Sequence, residues 1–211
     1  MKIIKKNPNK HEKTIIILKG MNQDDAHIYE IINGINNDIY KIILITPKKI
    51  TIDWLNQSSE DLTSWYNYHT RCDNAYNHDV IDVDTFNKNC NSIIDLINKE
   101  AQKILPKDIY LIGVSQGGTV AIESGLRLKF SICKIICIDT IFLNSYNAEC
   151  NSIQNFEVYQ SVNDKIYNPG FQNICYNDLC NLNQRVNIYI HEGYHCSNTL
   201  SINNFILNCI K

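Results

Sequence analysis

The chain has 211 residues, of which 44 % are hydrophobic and 20 % charged, and its formal net charge is −2. A chain of this size buries roughly 70 % of its unfolded surface and needs neither metal nor disulfide staples to hold a core. The near-neutral balance excludes nucleic acid or an anionic membrane as the main electrostatic partner.

The N-terminal stretch MKIIKKNPNKHEK lacks the apolar centre of a secretory signal. No run approaches the roughly 20 apolar residues of a membrane-spanning helix. Both point to a reducing, cytoplasmic interior, with peripheral membrane contact as the most that remains. Nine cysteines are an odd number at irregular spacings. Cys133 and Cys137 fall on one predicted strand, and Cys175 and Cys180 in a polar loop. Neither pair has the second short-spaced pair that a zinc site requires. They read as free thiols used as small apolar side chains, and no metal or cofactor is expected.

Thr14–Leu18 is the first β-branched apolar run and predicts a strand. Asp24–Ile35 follows as a helix with Asp24 as its N-cap, and Tyr40–Ile45 is a second strand. Thr46–Val83 is long and mostly irregular, carrying Trp54, Leu55, Trp65 and several tyrosines. A loop of that length in a compact domain is usually functional. Asp84–Lys103 repeats Phe86, Cys90, Ile93, Ile94 and Ile97 at helical spacing. Strands are then predicted at Ile109–Val114, Ile132–Ile138, Phe156–Gln160 and Val186–Ile190, with a helix at Gln116–Leu128. Asn163–Gln184 is polar with room for one short helix, and Ser197–Ile210 closes the chain as a helix capped by Ser197. Strands that are continuously apolar and alternate with helices predict an α/β fold over residues 1–211 as a single domain. It should be a doubly wound, mostly parallel sheet of about six to seven strands with helices on both faces. Right-handed crossovers then bring every strand's C-terminal end to one edge.

Only eight glycines occur in the chain, and three crowd around Ser115 in YLIGVSQGGTVA. Gly113-Val114-Ser115-Gln116-Gly117 sits between a predicted strand and a predicted helix, the setting of a nucleophile elbow. Gly113 and Gly117 give room in the tight turn, and Gly118 lets the helix press on the sheet. The helix start leaves backbone N–H groups unpaired near the hydroxyl, where they can hold a developing oxyanion. A serine hydroxyl needs a base, and the base an orienting carboxylate, in the chain order Ser, acid, His. His191 and His195 are the two histidines after Ser115. His191 ends a predicted strand, whereas His195 lies on the loop beyond it and is the better-placed base. Asp164, in YQSVNDKIY, and Asp139, in CIDT, both stand near strand ends as possible acids, with Asp178 a distant third.

With these residues in place the chain resembles the phospholipase/carboxylesterase family of α/β-hydrolases, which includes the acyl-protein thioesterases. GVSQGG from Gly113 matches the family's GFSQGG, SWYN from Ser64 its Ser-Trp-Phe-Asp, and EGYH from Glu192 its EGMxH. QSVND matches the HGxxD acid loop loosely, and KGMNQDD from Lys19 stands where the family has HGLGD. The resemblance implies Ser115 as nucleophile, Asp164 as acid and His195 as base, with an oxyanion hole from the backbone of Met21 and Gln116. Lys19 in place of histidine implies a different brace for the first oxyanion loop, and Asn67 and TPKK from Thr46 imply an altered rim. The implied activity is cleavage of acyl esters or thioesters, on a small ester or an acylated protein or lipid. Met21, Ile50, Ile52, Trp54, Leu55, Trp65 and Tyr66 are candidates for an apolar substrate wall, with Trp65 and Tyr66 equally readable as core aromatics covering a sheet edge, and Ile50–Leu55 for a flap or a membrane-surface contact. A peptidase or dienelactone-type hydrolase of the same fold, or a catalytically silent binding module, are the other readings.

Overall fold

The structure is a computed structural model describing residues 1–8, 10–36, 38–53, 59–68, 81–143 and 150–211. Its frame is a sheet of seven strands: β1 (Lys2–Lys6), β2 (Lys13–Leu18), β3 (Tyr40–Thr46), β6 (Ile109–Val114), β7 (Lys134–Ile138), β8 (Asn155–Ser161) and β9 (Arg185–His191). They lie side by side as β1-β3-β2-β6-β7-β8-β9, and all pairings are parallel except that of β1 with β3. A separate antiparallel hairpin is made by β4 (Lys49–Asp53) and β5 (Ser59–Thr63). The central strands carry unbroken apolar runs, Ile15–Leu18, Ile42–Ile45 and Ile135–Ile138, because both of their faces are covered. In β2, Ile16 and Leu18 face one core while Ile15 and Ile17 face the other.

The larger core lies under α2 (Val83–Ala101), α3 (Gln116–Arg127) and α4 (Pro169–Asn181). The smaller lies under α1 (Asp25–Ile31) and α5 (Thr199–Cys209). Helix α2 turns Phe86, Cys90, Ile93 and Ile97 inward, one per turn, as its spacing predicts. Its start is fixed by Asp82, whose carboxylate accepts from the Thr85 N–H at 3.1 Å.

Several features differ from the sequence reading, among them the β4–β5 hairpin inside the stretch expected to be mostly irregular. β1 is an added edge strand; KIIKK carries too many lysines to look like sheet, yet an edge strand has one side in solvent and tolerates them. The polar segment after β8 holds a full helix of 13 residues, α4, opened by Asn168 as cap and Pro169 at the first position. Cys175 and Cys180 are therefore helical, and Cys133 lies just outside β7. The cap of α5 is Asn198, which accepts from the Ser201 N–H at 3.1 Å, and not Ser197. On the far edge, β9 has β8 as its one strand neighbour among the described residues and is largely exposed, with Ile190 65 % accessible.

Candidate active site

Ser115 stands in the one-residue gap between β6 and α3 with φ 51° and ψ −123°. A non-glycine residue reaches that left-handed region only under constraint. Here the Ser115 N–H donates to the Ile138 carbonyl at 2.9 Å, and its carbonyl accepts from Thr140 Oγ1 at 2.7 Å and the Gly118 N–H at 2.8 Å. The neighbouring glycines are needed for contact. A Cβ on Gly117 would lie 2.5 Å from the carbonyl oxygens of Leu18 and Lys19, and one on Gly118 2.6 Å from the Thr140 side chain. The loop after β2 and the end of β7 thus close directly on the turn.

Ser115, His195 and Asp164 come from the ends of three strands and meet at one edge of the sheet. The distance from Ser115 Oγ to His195 Nε2 is 2.8 Å, and from His195 Nδ1 to Asp164 Oδ2 it is also 2.8 Å. An ionised carboxylate only accepts, so Nδ1 carries the hydrogen and Nε2 is left to accept from the serine hydroxyl. Asp164 is almost fully buried. Its Oδ1 accepts from the Ile166 and Tyr167 N–H groups at 2.8 Å each, and its Oδ2 also accepts from Gln172 Nε2 at 3.2 Å. The Tyr167 ring stands edge-on to the imidazole, with centroids 5.5 Å apart. Burial drives the Tyr167 phenol well above its ordinary pKa, so it stays neutral beside the imidazole. Hydroxyl, imidazole and carboxylate in series form an arrangement that can draw a proton from the hydroxyl as it attacks.

Gln116 does not face the cavity as a side chain. Its Oε1 accepts from the Trp65 N–H at 2.9 Å, and its Nε2 donates to Ser64 Oγ at 2.9 Å. Its backbone N–H belongs to the unpaired donors of the first turn of α3. Met21 lies on the loop after β2 and lines a cavity of about 180 Å³ together with Gly20, Gln23, His27, Val114, Ser115, His195 and Cys196. Two larger surface depressions, of about 430 and 470 Å³, lie by α5 with β9 and by α1 with β1, and Ser115 lines neither.

The expected apolar wall needs correction. Trp65 and Tyr66 are packed into the larger core, not along the cavity, since the Trp65 ring is needed to support the loop after β2. Its Nε1 donates to the Lys19 carbonyl at 2.7 Å. Ile52 is likewise fully buried, while Trp54 and Leu55 lie outside the described residues. Lys19, in the position of the family's histidine, is buried and paired with the Asp25 carboxylate. Asn67 accepts from the Tyr68 N–H at 2.9 Å through its own Oδ1.

The rival residues have other duties. His191 stacks on Tyr159 with ring centroids 4.2 Å apart, and burial lowers its pKa. Asp178 sits on α4. Asp139, at the end of β7 with φ 42°, is fully buried, and burial raises its carboxyl pKa above the ordinary value. It accepts from the Ser161 N–H at 2.7 Å, from Ser161 Oγ at 2.9 Å and from the Cys196 N–H at 2.7 Å. Among the described residues, Asp139, His195 and Cys196 are the one group whose ligand-type atoms come within 4.8 Å of one another. The Asp139 oxygens and both His195 nitrogens already have the partners just given, so this is not an open metal cradle. Tyr167, Gln172, Gln23 and His27 were missed from sequence. Gln23 and His27 stand four apart, a local signal, but the far partner of His27, the Cys196 carbonyl, lies 169 positions away.

A family model described as phospholipase/carboxylesterase matches residues 1–206 of the chain. Among solved structures, Zea mays acyl-protein thioesterase 2 superposes with a TM-score of 0.75 at 12 % identity, covering 100 % of this chain and 99 % of that one. Arabidopsis thaliana SOBER1 gives 0.74 at 13 % identity, covering 95 % and 100 %. The Bacillus cereus carboxylesterase gives 0.72 at 11 % identity, covering 99 % and 94 %. No curated protein sequence matches significantly. At such identities the structural likeness establishes the fold, that of the α/β-hydrolases.

Proposed function

The chain belongs to the phospholipase/carboxylesterase family, and from that premise we propose that it is a serine hydrolase cleaving carboxylic esters or thioesters of acyl chains. Residues 1–211 act as a single domain, with Ser115 as nucleophile, His195 as base and Asp164 as acid. The observation that carries the reading is the unbroken 2.8 Å relay from Ser115 Oγ through His195 to Asp164, set on a turn whose φ is 51°.

In the first half-reaction Ser115 Oγ attacks the acyl carbonyl carbon while its proton passes to His195 Nε2. The carbonyl oxygen becomes an oxyanion received by the Met21 and Gln116 backbone N–H groups, each contributing roughly 3 kcal/mol to the transition state. The carbon–oxygen or carbon–sulfur bond to the leaving group breaks as Nε2 returns the proton to it. Water then enters and attacks the acyl carbon while one of its protons passes to Nε2; the bond from that carbon to Ser115 Oγ breaks as Nε2 hands the proton to Oγ, which frees the carboxylic acid and restores the serine. Asp164 holds the ring in one tautomer and steadies the imidazolium without taking its proton.

Lys19 and Asn67, two of the departures from the family pattern, do not interrupt the relay; each is engaged in bonds of its own. Among the described residues no helix is long and apolar enough to cross a membrane.

Replacing Ser115 with alanine should lower kcat on p-nitrophenyl esters by roughly 10⁴- to 10⁶-fold and abolish fluorophosphonate labelling. Near-normal turnover, or a labelled alanine variant, would end the assignment. Esters of graded chain length set against matched thioesters then identify the preferred leaving atom and acyl length.

A further inference from the structure

Cys196 follows the proposed base directly and holds φ at 51° without being glycine. Such a conformation costs of order 1–3 kcal/mol and persists only where its surroundings over-determine it. Two side chains from distant elements grip it from opposite ends. Its N–H donates to Asp139 Oδ2 at 2.7 Å, and its carbonyl lies 2.9 Å from His27 Nε2.

Each grip leads on to another loop of the site. The same Asp139 carboxylate accepts the N–H and hydroxyl of Ser161, the last residue of β8, three positions before Asp164. On the other side, His27 Nδ1 lies 2.6 Å from Gln23 Nε2, and Gln23 Oε1 accepts from the Gly20 N–H at 2.7 Å. The Gly20 N–H is a fixed donor, so the Gln23 amide is oriented with its oxygen toward Gly20 and its NH₂ toward His27. Nδ1 must then accept, and Nε2 carries the hydrogen given to the Cys196 carbonyl. The tautomer of His27 is thereby set by a backbone amide next to Met21.

We propose that Asp139 and His27 are positioning residues: they clamp the Cys196 backbone and so hold the His195 loop in register with the Asp164 loop on one side and the Gly20–Met21 loop on the other. The His27–Gln23 pair supplies the brace of the first oxyanion loop that Lys19, committed to Asp25, does not. This rests on the hydrolase reading above. Neither residue is hydrogen-bonded to the side chains of Ser115, His195 or Asp164.

The test uses the whole chain, with active sites counted by exhaustive fluorophosphonate labelling, so that kcat is per competent site. Asp139→Asn and His27→Ala should each lower kcat on p-nitrophenyl butyrate by roughly 10- to 100-fold with KM little changed, as expected when groups are misplaced rather than lost. His27→Gln, which keeps a donor toward the Cys196 carbonyl, should recover most of the loss. The double variant should lose little more than the worse single one, because both act through one residue. Amide hydrogen exchange over residues 192–198 should quicken in Asp139→Asn and His27→Ala. Wild-type kcat per site in both single variants, additive losses, no recovery with glutamine, or unchanged exchange would each overturn the clamp. If wild type fails to label at Ser115, the hydrolase reading falls instead, and the exchange rates still judge the clamp.

Discussion

The loops that follow β7 and β8 each bury one aspartate, and the two carboxylates differ in what they hold. Asp164 accepts two backbone N–H groups and a glutamine on its way to the imidazole of His195. Asp139 gives both of its oxygens to the frame: the backbone and hydroxyl of Ser161 and the backbone of Cys196. Equal burial therefore does not imply equal duty. A carboxylate with one oxygen left for a ring nitrogen can steady a moving proton; one whose oxygens are taken by fixed donors organises backbone.

The sharpest test of this division is Asp164→Asn. It should cut kcat by roughly 10⁴-fold, because the amide favours the wrong imidazole tautomer while leaving the shape intact. A loss no greater than that of Asp139→Asn, in the same ester assay, would erase the distinction. A smaller effect is expected from Gln172→Leu. Gln172 donates to Asp164 Oδ2 at 3.2 Å and to the Tyr167 carbonyl at 2.7 Å. Its removal should cost about 1.5–3 kcal/mol in urea unfolding, the usual worth of a bond to a charged group. The subtlest signal is a slope. Burial raises the Asp139 pKa above its ordinary 3.8, so the folded chain binds that proton more tightly than the unfolded one. The stability this gives is full below the ordinary value and is lost as pH rises through the raised one. Asp139→Asn lacks this drain, so its stability relative to wild type should improve as pH climbs from 3.8; a flat difference would mean that the carboxylate is not desolvated as described.

Much of the site could be read from the letters. Glycine at 113, 117 and 118 around a serine, between a strand and a helix, leaves few alternatives, since contact distances under 3 Å forbid side chains there. His195 followed from its place beyond a strand end. The choice between Asp164 and Asp139 stayed open on position alone, because both stand at the same edge and only contacts separate them. Helix α4 was underestimated since NPGFQNICYNDLCN mixes polar residues with its buried Phe171, Cys175 and Leu179, which blurs the helical period. The bond from His27 to Cys196 spans 169 positions, and no local pattern encodes a pairing that distant. Trp65 could be read as substrate wall or as core because it sits in an irregular stretch; its indole donates to the Lys19 carbonyl, a bond invisible until the loops are folded together.

The strand that delivers His195 is the outermost of the sheet, propped from one side only. Fraying begins at such borders, where few neighbours share the load. Warmth should therefore silence the enzyme at temperatures where its interior is still whole, and cooling should restore it without the chain ever having come apart.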